Sequence, residues 1–334
     1  MGSWHAEHLR KSDVFELAGI YDSKEDRRAL AGSRGIYTYA TREEIFADPR
    51  VELVTIATPN NVHEEIAVAA LRAGKNVIVE KPAALTMESL ERMIAVSGET
   101  GKLFTAHQNR RFDADHLAMK QIHDAGDIGE IVNLESRIHG SRGIPSDWRG
   151  IKKYGGGMLF DWGIHLIDQA LVTLGWDVDT VDCREDHLTS GEVDDGFQLT
   201  ITLKSGKRAY VEVGTLNFIP MPRFYMRGRK GTALITDWRQ EAQVVRCDYW
   251  HESEVVPVET AAGLTKTMAP RNSVTTTAYT VPRPISDVHD FYRNAAAAID
   301  GRTTQLVTHE QMRMDLKVIL CAMESARTGR IVKL

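Results

Sequence analysis

Short apolar segments alternate with helical patterns through the first hundred residues, and this alternation limits the fold more than any other feature. Near-continuous apolar strands separated by helices indicate a parallel sheet that is covered on both faces. The sequence therefore predicts a Rossmann-type, doubly wound α/β domain over residues 1–108. Its four predicted strands are residues 15–22 (FELAGIYD), 51–59 (VELVTIATP), 76–82 (NVIVEKP) and 102–108 (KLFTAHQ).

The pattern changes after residue 108 to alternating segments of the kind that form antiparallel strands. Segments 130–140, 197–216 and 231–238 show this alternation, and we expect a second α/β domain over residues 109–334. Ser286 is expected to cap the first of two closing helices. Thr308 and Gln311 form a capping box for the second, which ends at Gly329. Residues 261–284 are rich in Thr and Pro, which predicts a long loop.

Composition excludes several classes of protein. The chain has 334 residues and a formal net charge of −5, which disfavours binding to nucleic acid or to an anionic membrane. No apolar run approaches the roughly 18 residues of a membrane helix. The three cysteines lie far apart, and the 12 histidines show no metal-ligand spacing, so we expect neither disulfides nor a metal. These features are typical of a cytoplasmic protein.

Gly2 precedes the first helical segment, where a dinucleotide-binding fingerprint has its third glycine. Asp22 follows at about the 20-residue spacing of the acid that binds the adenosine ribose. A carboxylate there favours NAD over NADP, because it repels the 2′-phosphate; alternatively, Asp22 only caps the next helix. We expect a strand and two further glycines to precede Met1 in a longer chain, the alternative being a divergent protein without that strand.

The segment GGGMLFDWGIHLIDQALVTLG, residues 155–175, carries the strongest chemical signal. Asp161 and His165 are four residues apart and share one helical face. The helix is apolar nearly all round, which predicts burial, and buried carboxylates and imidazoles are costly unless they are paired or used. Lys81 ends a predicted strand, where it could bind a substrate hydroxyl. The alternatives are a structural Asp–His pair and a surface lysine.

These motifs resemble those of the Gfo/Idh/MocA oxidoreductases, the relatives of inositol dehydrogenase and glucose-fructose oxidoreductase. The resemblance runs from Gly2 to the end of the chain. It is carried by MGSWHAEHL, ATPNNVHEEIAVAALRAGKNVIVEKP, NRRF, DWRG, GGGMLFDWGIHLID and SARTGRIVKL. It implies a second domain with a large, open, mostly antiparallel sheet that forms a homodimer or homotetramer interface. It also implies that the last helices pack back on the first domain.

The resemblance further implies oxidation of a secondary hydroxyl on a sugar, glycoside or cyclitol. Lys81, Asp161 and His165 would form the catalytic group. Two alternatives are an enzyme that uses NAD to cleave glycosidic bonds, and a cofactor-sensing regulator, which would lack Lys81 and His165. The predicted cofactor-binding residues are Gly2, Asp22, Thr58, Pro59, Asn60, His63, Glu80, Lys81, Asn109, Trp148 and Arg149.

Overall fold

Two β-sheets organise the chain, whose computed structural model describes residues 1–247, 256–267, 271 and 274–334. The helices are α1 (Gly2–Leu9), α2 (Glu25–Ser33), α3 (Arg42–Ala47), α4 (His63–Arg72), α5 (Met87–Thr100), α6 (Ala114–Ala125), α7 (Ile164–Leu174), α8 (His289–Ile299) and α9 (His309–Thr328). The strands are β1 (Leu53–Ile56), β2 (Asn76–Val79), β3 (Phe104–Ala106), β4 (Ile131–His139), β5 (Val178–Asp186), β6 (Gly196–Leu203), β7 (Arg208–Gly214), β8 (Phe224–Gly228), β9 (Gly231–Ile235), β10 (Ala242–Cys247), β11 (Val258–Thr260), β12 (Gly263–Thr265), β13 (Thr276–Val281) and β14 (Val332–Lys333).

The first sheet is parallel, with strand order β1-β2-β3, and it confirms the predicted Rossmann-type domain. Every residue of β2 is buried, because strands flank it on both sides and helices cover both faces. The following helix α5 begins where the Thr86 hydroxyl accepts a hydrogen bond from the Ser89 amide. The carboxyl ends of β1 and β2 therefore lie side by side, which is where ligands bind in such sheets.

The predicted strand over residues 15–22 is wrong in the described structure. Only Ile20 pairs, in an isolated parallel bridge to Thr38. Among the described residues, no strand lies between this segment and β1. The other backbone groups of residues 15–22 therefore lack a neighbouring strand with which to form the hydrogen bonds that define a β-strand. In keeping with this, Leu53 and Val54 of β1 are only half-buried, unlike Ile56.

The second sheet has nine strands in the order β13-β10-β9-β8-β4-β7-β6-β5-β14. Its neighbours are antiparallel except for β4 and β7, which run parallel, so the predicted mostly antiparallel sheet is confirmed. Burial alternates along β6 and β7. The inner face packs on α7 and α9, and the outer face carries half-buried polar side chains such as Tyr210 and Glu212.

The closing helices contact the first sheet through β3. The Thr105 hydroxyl donates to the Val307 carbonyl at 3.1 Å, and His309 Nε2 lies 2.9 Å from the Phe104 carbonyl. The capping box of Thr308 and Gln311 and the left-handed Gly329 at the end of α9 are confirmed.

Two predictions about the closing third of the chain are wrong. Ser286 does not cap α8; its hydroxyl donates to the Phe112 carbonyl, and Asp287 accepts the His289 amide instead. Residues 261–284 are not one long loop, because β12 pairs with β11 and β13 pairs with β10. The β-branched and aromatic residues of TTAYTV favour a strand over a loop. Residues 268–270 and 272–273 of this segment lie outside the described residues.

None of the helices in the described ranges has the length and apolar character needed to cross a membrane.

Candidate functional site

An ion pair joins the end of β2 to the glycine-rich segment before α7. Lys81 Nζ lies 2.8 Å from Asp161 Oδ1 and 2.8 Å from the Asp161 backbone carbonyl. Arg149 Nε lies 3.3 Å from the other carboxylate oxygen, Oδ2. Burial alone would raise the pKa of Asp161, but Lys81 and Arg149 outweigh it and lower that pKa below its usual value. Asp161 is therefore an ionised carboxylate between two cations.

Asp161 lies on a π-helical turn, Leu159–Gly163, that leads directly into α7. The Ile164 amide bonds to the Leu159 carbonyl five residues back, and such turns occur mostly at functional sites. The turn presents both the side chain and the carbonyl of Asp161 to Lys81.

Two glycines before the turn allow the backbone to approach other groups closely. A Cβ on Gly156 would lie 2.2 Å from the Arg149 carbonyl oxygen, and one on Gly157 would lie 2.1 Å from Asp194 Oδ1. Gly157 also has φ +109°, which disfavours other residues. Glycine thus allows the backbone to bring Arg149 and Asp161 together.

Asp194 fixes the start of the π-helical turn, a role that the sequence patterns did not indicate. Its Oδ2 accepts a hydrogen bond from the Leu159 amide at 2.8 Å, and its carbonyl accepts one from Met158. Burial raises the pKa of this carboxyl to about 7. Near neutral pH, an ionisable group therefore caps the turn that carries Asp161.

His165 lies one helical turn beyond Asp161 and is buried. Burial, followed by the nearby charges of Lys81 and Arg110, holds its pKa well below the ordinary value. Its Nδ1 is buried without a hydrogen-bond partner among the described residues. The imidazole is therefore neutral at physiological pH and able to accept a proton.

The carboxylate of Glu80 is already engaged by protein groups. Its Oε1 lies 2.7 Å from His5 Nε2 and 3.1 Å from His107 Nδ1, and its Oε2 lies 3.3 Å from the Lys81 amide. The phenol of Tyr292 lies 2.7 Å from His5 Nδ1. Burial would raise the pKa of Glu80, but the hydrogen bonds from His107 and His5 hold it well below its usual value. Glu80 thus braces the strand end that carries Lys81.

His5, Glu80 and His107 also form a compact group of metal-ligand types, with one ligand atom of each lying within 4.8 Å of the others. The 2.7 Å and 3.1 Å contacts are hydrogen bonds, shorter than the roughly 3.3 Å between two ligands of one tetrahedral zinc ion. The geometry fits a buried hydrogen-bonded carboxylate.

The predicted residues after β1 lie beside this junction. The Thr58 hydroxyl is buried without a partner in the described structure. Pro59 precedes a 3-10 helix (Asn60–Val62). The side-chain amide of Asn60 donates a hydrogen bond to the Gly155 carbonyl at 3.0 Å. The His63 ring lies 3.0 Å from the Pro82 carbonyl and 3.1 Å from that of Thr58, so it holds the ends of β1 and β2 together.

The remaining predicted residues fall into two groups. Trp148 and Asn109 lie in segments that border the candidate site, whereas Gly2 begins α1 and Asp22 precedes α2. The Trp148 ring lies beneath the Arg149 guanidinium, 4.7 Å from its centroid, and Asn109 begins a 3-10 helix (Asn109–Phe112). Gly2 is the exposed first residue of α1. Asp22 Oδ1 accepts the Lys24 amide at 2.9 Å. Lys24 is the N-cap of α2, and no side chain among the described residues caps this helix, so the alternative interpretation of Asp22 as its cap is wrong.

The second acid of segment 155–175, Asp168, does not join the candidate site. Both of its oxygens accept hydrogen bonds from the buried guanidinium of Arg111. The adjacent Arg110 belongs to the NRRF motif, which the resemblance implies borders the pocket. Its guanidinium carbon lies 4.1 Å from the centroid of the Trp162 ring, and its charge contributes to the lowered pKa of His165.

The family model for the Rossmann-fold NAD-binding domain of an oxidoreductase family matches residues 1–108, and the model for a Gfo/Idh/MocA C-terminal domain matches residues 116–234. The chain belongs to the Gfo/Idh/MocA family. Its first domain is therefore an NAD-binding Rossmann domain by family, although the match does not separate NAD from NADP.

Individual relatives agree with this membership. The crystal structure of an NAD-binding protein from Listeria innocua is 39% identical, covers 100% of this chain and 96% of that chain, and has a TM-score of 0.96. A scyllo-inositol 2-dehydrogenase (NADP(+)) of Bacillus subtilis is 28% identical over 99% of this chain and 92% of the relative. An uncharacterized oxidoreductase of Schizosaccharomyces pombe is 36% identical over 48% of this chain, but the match spans only 45% of the relative's length.

The position of Asp194 predicts a pH effect on stability. Because the folded-state pKa of its carboxyl, about 7, lies above the ordinary value of 3.8, the folded chain binds the extra proton between those values, and stability falls as pH rises through them. In Asp194→Asn, the amide oxygen can still accept from Leu159 without ionising. The free energy of unfolding of the wild type, relative to this variant, should therefore decrease from pH 4 to 7. Urea titrations at both pH values measure it; a pH-independent difference contradicts the prediction.

Proposed function

We propose that this chain is an NAD(P)-dependent dehydrogenase that acts on a secondary hydroxyl of a polyhydroxylated substrate. The observation that carries the proposal is the arrangement of Lys81, bonded to the ionised Asp161, beside the neutral and buried His165. A fixed cation and a neutral imidazole are the two groups that removal of a hydroxyl proton requires. Family membership supports the same reaction class.

The protein residues divide the work on the substrate. His165 accepts the hydroxyl proton, which its lowered pKa permits because the ring is unprotonated at neutral pH. Lys81 Nζ stabilises the negative charge that develops on the substrate oxygen. Asp161 holds Lys81 Nζ in place through two 2.8 Å contacts. When bound, the nicotinamide cofactor supplies the carbon that accepts the hydride.

The residues present fit a dinucleotide. The carboxyl ends of β1 and β2 meet beside the Lys81–Asp161 pair, and the unpartnered buried hydroxyl of Thr58 lies at that edge. The amide groups at the start of α1, from Gly2 onward, can bind a phosphate. Asn60, His63, Asn109, Trp148 and Arg149 surround the same edge and would hold the nicotinamide side.

We propose NAD as the preferred cofactor, because the Asp22 carboxylate would accept ribose hydroxyls and repel a 2′-phosphate. Two cations stand close by: Arg27 lies 3.6 Å from Asp22 Oδ2, and Arg28 donates to the Asp22 carbonyl. Removing the carboxylate would leave these arginines free to attract phosphate.

The substrate we propose is a sugar, glycoside or cyclitol. The Bacillus subtilis relative is named for a cyclitol substrate, scyllo-inositol, and for NADP(+). The charged groups of the site, Lys81, Asp161 and Arg149, offer donors and acceptors to several neighbouring hydroxyls.

We also propose that the outer face of the nine-stranded sheet forms a homodimer or homotetramer interface. Arg137 on that face bonds Glu212 at 3.0 Å and lies 5.1 Å from the Tyr210 ring centroid. This face therefore carries half-buried polar and aromatic side chains, a mixture that is typical of protein–protein interfaces. Light scattering of the purified chain tests it.

Loss of either catalytic group should abolish turnover without unfolding the chain. Lys81→Met removes the charge that stabilises the substrate oxygen, and His165→Gln removes the base, so each should lower kcat by at least about a hundredfold. The measurement is reduction of NAD(P) by absorbance on a panel of polyols and glycosides. Glu324→Gln, an exposed change on α9, serves as the control. Near-wild-type rates in either variant would refute the assignment.

The pH profile should identify His165 as the base. Its pKa is lowered below 6.5 and that of Asp161 below 3.8, so both groups are already unprotonated at neutral pH. We expect kcat/KM to stay constant as pH falls from 7.5 to the ordinary histidine pKa and to decrease only at lower pH. A decrease that begins above pH 7 would contradict the neutral, buried imidazole.

Cofactor preference can be tested by titration calorimetry of the chain with NAD and NADP. NAD should bind more tightly, and Asp22→Ser should weaken NAD and strengthen NADP, because it removes the ribose acceptor and leaves Arg27 and Arg28 in place. Tighter binding of NADP to the wild type would overturn the proposed preference. Asp26→Ser, which removes a neighbouring exposed charge, provides the matched control.

A further inference from the structure

Three rings lead outward from the candidate catalytic base. The centroids of His165 and Trp162 are 6.1 Å apart, and those of Trp162 and Trp238 are also 6.1 Å apart. Exposure increases along this series: His165 is buried, Trp162 is half-buried and Trp238 is 42% exposed. The rings therefore form an aromatic path from the reacting group to solvent.

The middle ring of this path is held in place. The Arg110 guanidinium carbon lies 4.1 Å from the Trp162 centroid, and Asp113 bonds Arg110 at 2.9 Å. Trp162 follows Asp161 on the π-helical turn that the Asp194 contact fixes. Stacking of arginine on indole is favourable, so the Trp162 side chain is held in one orientation.

The outer ring presents apolar surface to solvent between polar neighbours. Trp238 lies just after β9, within the exposed segment 236–240. Asp237 Oδ1 accepts the Arg239 amide at 2.9 Å, which shapes the turn around the indole. An exposed tryptophan with a carboxylate and a guanidinium on either side offers one flat apolar face together with hydrogen-bonding groups.

This combination matches the chemistry of a saccharide ring. The C–H groups on one face of a pyranose carry slight positive charge and pack on the electron-rich face of an indole, while the hydroxyls at the ring edge bind carboxylates and guanidinium groups. A substrate ring that forms hydrogen bonds with His165 and Lys81 would lie at the buried end of this series, next to Trp162. A second ring attached to it would extend toward Trp238.

We propose that Trp162 and Trp238 form a subsite for the second, non-reacting ring of a glycoside, so that the substrate is a glycoside rather than a free monosaccharide or cyclitol. The substrate assignment rests on the proposed dehydrogenase function, but the binding of the second ring can be measured without turnover. The ring is either a sugar or an aromatic aglycone, since both present a flat face to an indole.

Ligand-observed NMR tests the subsite directly. The probes are cellobiose, phenyl β-glucoside and glucose, each titrated into the wild-type chain, Trp238→Ala, Trp238→Phe and the control Ile331→Ala, which removes an exposed apolar side chain on another part of the surface. Trp238→Ala should weaken at least one glycoside about tenfold and leave glucose unchanged. Trp238→Phe should retain most of the affinity, and the control should match the wild type.

The outcomes separate this proposal from its rivals. Weakening of cellobiose alone identifies a sugar as the second ring, and weakening of the phenyl glucoside alone identifies an aromatic aglycone. Equal binding of both glycosides to the wild type and Trp238→Ala overturns the proposal, as does a wild type that binds neither. If Trp238→Ala changes the oligomeric state and weakens the binding of all three probes equally, the proposal is overturned. Trp238 would then contact a second copy of the chain instead of a second substrate ring. Glycoside binding without NAD(P) reduction refutes the dehydrogenase function alone.

Discussion

The ion pair between Lys81 and Asp161 is the interaction on which the rest of the site depends. It connects the carboxyl end of a Rossmann-sheet strand to the π-helical turn before α7, so it joins the first sheet to the segment that carries His165. The two side chains are only 14% and 15% exposed. Removing either partner would leave a poorly solvated charge, which is strongly unfavourable.

The surrounding contacts act by restricting where these two groups can lie. Glu80, held by His5 and His107, braces the strand end before Lys81. Asp194 caps the turn that carries Asp161. Catalytic groups must be held within a fraction of an ångström of the productive geometry. In the proposed site, buried hydrogen bonds from three separate segments would do this. This arrangement buries two carboxylates, Glu80 and Asp194. Hydrogen bonds from His107 and His5 offset the unfavourable burial of Glu80, whereas burial keeps the pKa of Asp194 raised.

Local patterns predicted much of this arrangement. The apolar strand NVIVEKP, the capping box at Thr308 and the spacing of Asp161 and His165 each follow from short-range chemistry, and the structure has the corresponding strand, cap and helix. The resemblance correctly supplied the family and the mostly antiparallel sheet. The roles of the individual site residues stay predictions.

Features that depend on distant partners could not be predicted. The segment 15–22 has an apolar strand composition, but strand formation also needs a neighbour, and only Ile20 finds one. Glu80 is predicted to face a cofactor, yet its oxygens are used by His5, His107 and the Lys81 amide. Asp194 and Trp238 lie 33 and 77 residues from Asp161 in sequence, and only the sheet topology brings them to the site.

The most direct test of the account is a double-mutant cycle on the central ion pair. The rate of NAD(P) reduction would be measured for the wild type, Lys81→Met, Asp161→Asn and the double variant, with the best substrate of the panel. If Lys81 and Asp161 act as one unit, the double variant will be no slower than the slower single variant. Losses that multiply in the double variant would show that the two residues act independently and would contradict the account.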